Sequence, residues 1–193
     1  NPWPYESPST THVSVLDKYG NAVSLTQTIG TYFGSYVVPK GLGFLLNNSM
    51  SNFATTLPNY VNRIQPHKRP RSTMSPTIVL KDGQPYLVVG SPGAGRIVST
   101  VILAISNIID HGMDVQEAIN TGRIHQEREG PIDVEGNIPE EVREGLIKKG
   151  HEITVYGETD YYFGGVHAIL RDPETGLMHG GADPRRDGKA LAY

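Results

Sequence analysis

The segment Ser9-Thr10-Thr11-His12-Val13-Ser14-Val15-Leu16-Asp17 has the alternation of apolar and polar residues that is typical of a β-strand. A second alternating segment, Asn21–Thr28, follows after a short polar turn that contains Gly20. Two alternating segments joined by such a turn predict a β-hairpin. We expect this hairpin to place Thr10 at the edge of a sheet.

Thr10 is the candidate nucleophile of the chain. A threonine hydroxyl needs a base beside it, and the threonine's own α-amino group can be that base once the chain is cut just before it. Residues 1–9 contain three prolines and two serines, a composition that predicts an exposed linker in which such a cut can occur. Because the chain opens on Asn1 without a signal-like start, we also expect it to be a fragment of a longer product.

The composition excludes several classes of protein. The 193 residues are 37% hydrophobic and 19% charged, which fits one globular domain with a real core. Seventeen basic against twenty acidic residues leave no polycationic face, which argues against a nucleic-acid partner. Cysteine is absent, no apolar run reaches the roughly 20 residues of a membrane helix, and the seven histidines form no metal-ligand pattern.

The remaining pattern predicts an α+β fold with layers and a mostly antiparallel sheet. An Asp82-Gly83 turn joins two apolar strands in the clearest hairpin signal of the chain. Residues 49–71 are polar and contain prolines, so we interpret them as a long surface loop that lines a cleft. Further strands are predicted at residues 43–48, 77–80, 86–89, 152–156, 165–171 and 177–179, and helices at residues 96–110, 115–121 and 140–149.

Several ordered motifs make the chain resemble the small subunit of γ-glutamyltransferases (glutathione hydrolases), members of the N-terminal nucleophile hydrolase superfamily. The similarity extends from Thr10 to Tyr193. Its specific parts include Thr10-Thr11-His12, Leu45-Leu46-Asn47-Asn48, Lys68-Arg69-Pro70, Met74-Ser75-Pro76-Thr77, Gly90-Ser91-Pro92-Gly93 and Asp183-Pro184-Arg185. The resemblance implies a four-layer αββα sandwich, in which residues 10–193 are the catalytic small-subunit domain.

The same resemblance implies a partner, which is the large subunit cut from the same precursor, in a heterodimer. In the family, the large subunit completes the sandwich and supplies an arginine for the substrate. No cofactor is implied. The family favours a periplasmic or extracellular location and leaves a cytoplasmic one open.

Catalytic roles follow from the resemblance, position by position. It places autocatalytic cleavage between Ser9 and Thr10, makes Thr10 the nucleophile and Thr28 its hydrogen-bond partner, and assigns the oxyanion hole to the N–H groups of Gly93 and Ala94. Alanine stands where the family usually has a second glycine, so we expect the hole to survive if the φ angle of Ala94 is negative. From the residues alone, a purely structural role as strand residues is the simpler interpretation of Thr10 and Thr28. For the turn that contains Gly93 and Ala94, a structural role as the connection between a strand and a helix is as well supported as an oxyanion hole.

The predicted substrate site combines matches with departures. Ser72 and Thr73 match paired hydroxyls that bind the α-carboxylate of a γ-glutamyl donor, beside Arg69 and Arg71. The departures are Gly30, Ser49 and Asn52, which replace donor-binding amide or acidic residues of the family.

Function is therefore predicted as cleavage of γ-glutamyl amides, such as glutathione or poly-γ-glutamate, through a threonyl acyl-enzyme. Because an asparagine supplies no charge for the donor's ammonium group, a glutaryl or cephalosporin-type acylase is an alternative. An unprocessed inactive relative is another, since Ser9 is still joined to Thr10. His12 is interpreted as structural, because its ring alternates away from Thr11 on the strand.

Overall fold

A computed structural model describes residues 9–56 and 60–193 of the chain. Of the predicted linker, residues 1–9, only Ser9 belongs to this part. The strands are β1 Thr11–Leu16, β2 Ala22–Gln27, β3 Thr77–Lys81, β4 Gln84–Gly90, β5 Ile124–His125, β6 Ile132–Val134, β7 Ile153–Val155, β8 His167–Arg171 and β9 Met178–Ala182. The α-helices are α1 Ile97–Ile109, α2 Val115–Asn120 and α3 Glu140–Lys148.

The central sheet has the strand order β3-β4-β8-β9, and all of its neighbours are antiparallel. Asp82 and Gly83 both have positive φ angles, 53° and 76°, as a tight hairpin turn requires. Helices α1 and α2 cover one face of this sheet, and the main core lies between the helices and the sheet. Its fully buried members include Leu87, Val89 and Ile119. The predicted central hairpin and the main helix are thus confirmed.

The hairpin of β1 and β2 forms a second β layer, which stacks on the other face of the central sheet. Its inner contacts are polar. Ser14 Oγ donates to the carbonyl of His167 at 3.0 Å, and Ser24 Oγ donates to that of Val89 at 3.0 Å. His12 is 3% exposed, and its ring lies so close to Gly90 that a Cβ there would come within 2.2 Å of it. We call these interlayer contacts the polar seam.

The outer face of the hairpin is apolar and exposed in the described chain. Alternation with a period of two places hydroxyl and imidazole groups inward and valine and leucine outward. Val13 lies opposite Leu25, and Val15 opposite Val23, with exposed fractions of 43 to 51%. The helix, sheet and hairpin layers are three successive layers of an αββα sandwich, so the predicted α+β fold class is confirmed.

A smaller sheet, β5-β6-β7, packs with α3 around Val134 and Ile138. A buried ion network fixes this unit to the end of β9. Arg185 binds Glu135 through two hydrogen bonds of 2.5 and 2.6 Å, while Arg123 pairs with Asp183. Two cations thus face two carboxylates, which is the arrangement that fully buried charges require.

The predicted strand at residues 43–48 is wrong. The segment is an irregular loop that is tied to its neighbours by single backbone bonds, such as Leu46 N–H to the carbonyl of Val37. Phe44 is 54% exposed and Leu46 is 40% exposed, so the apolar run is not a buried strand of the described chain. Gly41 and Gly43 adopt positive φ angles, which interrupt the extended backbone.

Among the described residues, no helix is long and apolar enough to cross a membrane.

His12 gives the fold a defined pH dependence. Burial, and secondly the nearby His167, lower the pKa of His12 from 6.5 to about 4. The unfolded chain therefore binds one more proton than the folded chain between these values, and the free energy of unfolding falls as the pH is lowered through this window. We expect a loss of about 2 kcal/mol from this group between pH 7 and pH 5, measured by chemical denaturation.

A His12→Gln variant should have a correspondingly shallower pH profile. His111→Gln, at an exposed position after α1, is the control and should keep the native profile. Identical slopes for His12→Gln and the native protein would contradict this account of the polar seam.

Candidate active site

The hydroxyl groups of Thr10 and Thr28 are hydrogen bonded across the open end of the hairpin, at 3.1 Å with Thr10 as donor. The register explains the contact. Thr11 pairs with Gln27, so Thr10 and Thr28 come next along the two strands, and both share the inward parity of His12. Thr28 Oγ1 also accepts the N–H of Gly30 at 2.9 Å. The expected proximity of the two threonines is therefore confirmed.

These threonines line a cavity of about 350 Å³ between the hairpin, the 48–54 and 60–74 loops and the start of α1. Eight of the nine residues predicted for catalysis or substrate binding line it. They are Thr10, Thr28, Gly30, Ser49, Asn52, Ser72, Thr73 and Ala94. The ninth, Gly93, directly precedes Ala94. The structure thus brings together residues that are separated by up to 84 positions in the sequence, while their individual roles stay predictions.

The Gly93-Ala94 turn leads into a 3₁₀ turn, Ala94–Arg96, which runs directly into α1. Its backbone is unusual, because φ is 137° at Gly93 and 54° at Ala94. The condition under which the oxyanion hole was expected to survive, a negative φ angle at Ala94, is therefore not met. Neither N–H group donates to an acceptor within the described chain, and both precede a helix whose dipole favours negative charge. The turn thus keeps free donors despite the positive angle.

Two residues from distant parts of the sequence contact this turn. A Cβ on Gly93 would come within 3.0 Å of the Cα of Gly164, so Gly164 packs directly against the turn. In addition, Thr73 Oγ1 donates to the carbonyl of Ala94 at 2.6 Å. The conformation of the turn is therefore held by contacts with distant segments as well as by its own sequence.

Asn48 occupies the space next to Gly30. A Cβ at Gly30 would lie 1.7 Å from Asn48 Oδ1, and the φ angle of Gly30 is 91°. The Asn48 amide accepts from Thr31 N–H at 3.0 Å and donates to Thr31 Oγ1 at 3.1 Å. An amide is thus present in this part of the cavity, although it comes from another part of the loop. Asn48 was not predicted as a site residue, although the Asn47-Asn48 motif could have indicated that it lines the site.

In the part of the chain that the structure describes, one side chain carries the charge of the cavity. Among the described lining residues, Arg71 alone is charged at neutral pH, and Ser49 and Asn52 provide only neutral groups. Arg69 is exposed and does not line the cavity. The Asn62 side chain joins the rim, because it donates to the carbonyl of Asn52 at 2.6 Å and accepts the N–H of Arg71 at 3.2 Å.

The structure places His12 outside this cavity. Its ring nitrogens contact the hydroxyls of Thr26 at 2.8 Å and Ser14 at 3.1 Å. Within residues 9–56 and 60–193, no group of three or more histidine or acidic side chains is arranged to hold a metal ion. The cavity itself is lined by the hydroxyl residues Thr10, Thr28, Ser72 and Thr73 and by Ala94.

A helix layer, two β layers and a threonine at the mouth of the inner hairpin define the fold of an N-terminal nucleophile hydrolase. The comparison with known proteins gives the family. The sequence model of γ-glutamyltranspeptidase matches residues 1–193, and the chain belongs to that family.

Relatives in the family carry two kinds of name. The chain is 41% identical over 192 residues to the glutathione hydrolase proenzyme of Escherichia coli K12, covering 94% of this chain and 32% of that protein. It is also 41% identical over 187 residues to the acylase ACY 1 proenzyme of Pseudomonas sp. SE83, covering 97% and 32%. The chain therefore spans about a third of the length of the curated relatives it matches.

A solved structure agrees with this assignment. The crystal structure of a mutant γ-glutamyltranspeptidase from Helicobacter pylori is 40% identical and superposes with a TM-score of 0.82. The alignment covers 91% of this chain and 100% of that chain. Both the sequence and the arrangement of strands and helices thus assign the chain to one family.

The positive φ angle of Ala94 predicts a stabilising substitution. A left-handed conformation costs alanine about 1 kcal/mol relative to glycine, so Ala94→Gly should raise the free energy of unfolding by about that amount. Chemical denaturation measures the difference. Ala104→Gly in the middle of α1 is the control and should be destabilising. A loss of stability in Ala94→Gly would contradict the strained turn.

Proposed function

We propose that this chain is the catalytic part of an enzyme that cleaves amide bonds through a threonyl ester. The observation that carries the proposal is the Thr10 hydroxyl, bonded to Thr28 in a cavity whose wall includes the Gly93-Ala94 turn. Support also comes from relatives that are named proenzymes, because the proposed base exists only after a precursor is cut.

Maturation would break the bond between Ser9 and Thr10. The Thr10 hydroxyl attacks the Ser9 carbonyl carbon and gives its proton to the departing nitrogen, so that the peptide becomes an ester. Water then hydrolyses the ester and releases Ser9 as a carboxylate. The product is a free α-amino group on Thr10, whose ordinary pKa of about 7.7 to 8 suits a general base near neutral pH.

Turnover would use the same hydroxyl. The α-amino group of Thr10 accepts the hydroxyl proton while the oxygen attacks the amide carbonyl of the substrate. The N–H groups of Gly93 and Ala94 donate to the oxyanion that forms. The leaving amine takes the proton, and water or an acceptor amine then resolves the acyl-enzyme. Thr28, which already binds the hydroxyl, orients it for attack.

The proposed partner is a large subunit from the same precursor. Four exposed apolar side chains, Val13, Val15, Val23 and Leu25, lie side by side on the outer face of the hairpin. A contiguous apolar surface of this kind is typical of an interface. A fourth layer of helices from the partner would cover it and complete the sandwich. That the chain matches only a third of its curated relatives supports the same arrangement.

The first choice of substrate is a γ-glutamyl amide, in accordance with the relatives that are named glutathione hydrolases. A specific observation favours a second choice, an acyl group such as glutaryl that has a carboxylate but no free ammonium. Among the described residues that line the cavity, none carries a carboxylate that could pair with an ammonium, whereas Arg71 can pair with a carboxylate. One relative, the acylase ACY 1 proenzyme, is named for acylase activity.

Removal of the Thr10 hydroxyl should stop both reactions. Thr10→Ala should leave Ser9 joined to residue 10 and reduce turnover of any amide donor by more than about 1,000-fold, because nucleophile and base disappear together. Mass spectrometry of the purified protein and initial rates are the two measurements. The matched control is Thr11→Ala, since Thr11 is exposed on the outer face of β1. Cleavage directly after Ser9 at the normal rate in Thr10→Ala would refute the proposal.

The charge at position 52 should decide between the two donors. Asn52→Asp adds a carboxylate to the cavity, and a charge-assisted hydrogen bond contributes about 1.5 to 3 kcal/mol. We expect the ratio of kcat/KM for a γ-glutamyl anilide over a glutaryl anilide to rise by about 10- to 100-fold. Asn120→Asp adds the same charge on the exposed end of α2 and should not change the ratio. An unchanged ratio in Asn52→Asp would show that Asn52 does not contact the donor.

A further inference from the structure

Thr73 and Ser72 are adjacent hydroxyl residues with different hydrogen bonds. Thr73 Oγ1 donates its proton to the carbonyl of Ala94 at 2.6 Å. Ser72 Oγ instead accepts the N–H of Met74 at 3.2 Å, and its own proton is donated to no acceptor within residues 9–56 and 60–193. A hydroxyl has one proton, and a carboxylate can only accept. Of the two, Ser72 is therefore the one that can donate to a substrate carboxylate without losing an existing bond.

The bond from Thr73 extends the central hairpin beyond its ladder. Thr77 pairs with Val89 at the last step of β3 and β4. Thr73 lies four residues before this pair and Ala94 five residues after it, so their hydrogen bond joins the two chain segments where the ladder has ended. Ser75 Oγ fixes the Thr73 segment by donating to the carbonyl of Thr73 at 3.0 Å. The donor side of the bond is thus itself anchored.

The acceptor of this hydrogen bond is Ala94, whose backbone conformation is strained. Ala94 has a φ angle of 54°, a conformation that costs a non-glycine residue free energy unless surrounding contacts hold it. Its N–H and that of Gly93 can donate to an oxyanion only while the turn keeps this shape. Neither the 3₁₀ turn nor α1 has a side-chain cap at its N-terminus. Within the described residues, the Ala94 carbonyl accepts from the Ile97 N–H and from the Thr73 hydroxyl, and the hydroxyl is the side-chain donor of the two.

We infer that Thr73 is a positioning residue for the oxyanion hole, which acts through the Ala94 carbonyl, and that of these two neighbouring hydroxyls only Ser72 donates to the substrate carboxylate. The inference rests on the proposed function, because it assigns a role within the same cavity. The two neighbouring hydroxyls then have different roles. Thr73 stabilises the transition state by positioning the oxyanion turn, and Ser72 binds the carboxylate of the substrate.

The test compares Thr73→Val, Thr73→Ser and Ser72→Ala in the complete protein with γ-glutamyl and glutaryl anilides. Thr73→Val keeps the shape of the side chain and removes the hydroxyl. A misplaced oxyanion turn should lower kcat by about 10- to 100-fold while KM changes by less than about 3-fold. Thr73→Ser keeps the hydroxyl and should restore kcat. Ser72→Ala should raise KM and leave kcat within about 3-fold.

A second measurement needs no turnover. Arg96 N–H and Ile97 N–H donate to the carbonyls of Gly93 and Ala94, and their hydrogen–deuterium exchange should be faster by about 10-fold or more in Thr73→Val than in the native protein, and unchanged in Ser72→Ala. A raised KM with native kcat in Thr73→Val, or native exchange of these two amides, would overturn the inference. A native protein that cleaves neither anilide would instead contradict the proposed function, and the exchange rates would still decide the role of Thr73.

Discussion

The position of the candidate nucleophile depends on the polar seam between the hairpin and the central sheet. Ser14 and Ser24 reach the carbonyls of β8 and β4, and the His12 ring fills the space above Gly90. A slip of one residue in either strand would turn these side chains outward and bring valines against the backbone of the sheet. The seam therefore fixes the register, and the register places Thr10 opposite Thr28.

The cavity is built around that register by segments that have no regular structure of their own. Its walls come from the loops after β2 and before β3, together with the turn into α1. Hydrogen bonds between side chains and backbone hold these loops, as Asn62 does at the rim and Asn48 beside Gly30. Rigid layers thus position the hydroxyls, while loops determine the shape and charge of the space in front of them. Changes in the loops can alter the donor without disturbing the nucleophile.

Much of the fold and of the candidate site could be predicted from the sequence, because these features depend on local patterns of residues. Alternation with a period of two predicted the hairpin and the closeness of Thr10 to Thr28, and the Asp82-Gly83 turn predicted β3 and β4. Contacts between distant segments were not accessible. Residues 43–48 have the composition of a buried strand but lie in an exposed loop. The turn with the positive φ angle at Ala94 contacts Thr73 and Gly164, which are distant in the sequence. The Asp183-Pro184-Arg185 motif was recognised, yet its role in a buried ion network follows only from the fold.

The central claim is that one threonine supplies both the attacking oxygen and the base that activates it. The most direct measurement is a rapid acid quench during turnover of an activated acyl donor, followed by peptide mapping with mass spectrometry. The account predicts that the acyl group is found on a peptide that begins at Thr10, attached through its hydroxyl. An acyl group on any other residue, or on a peptide in which Ser9 is still joined to Thr10, would contradict it.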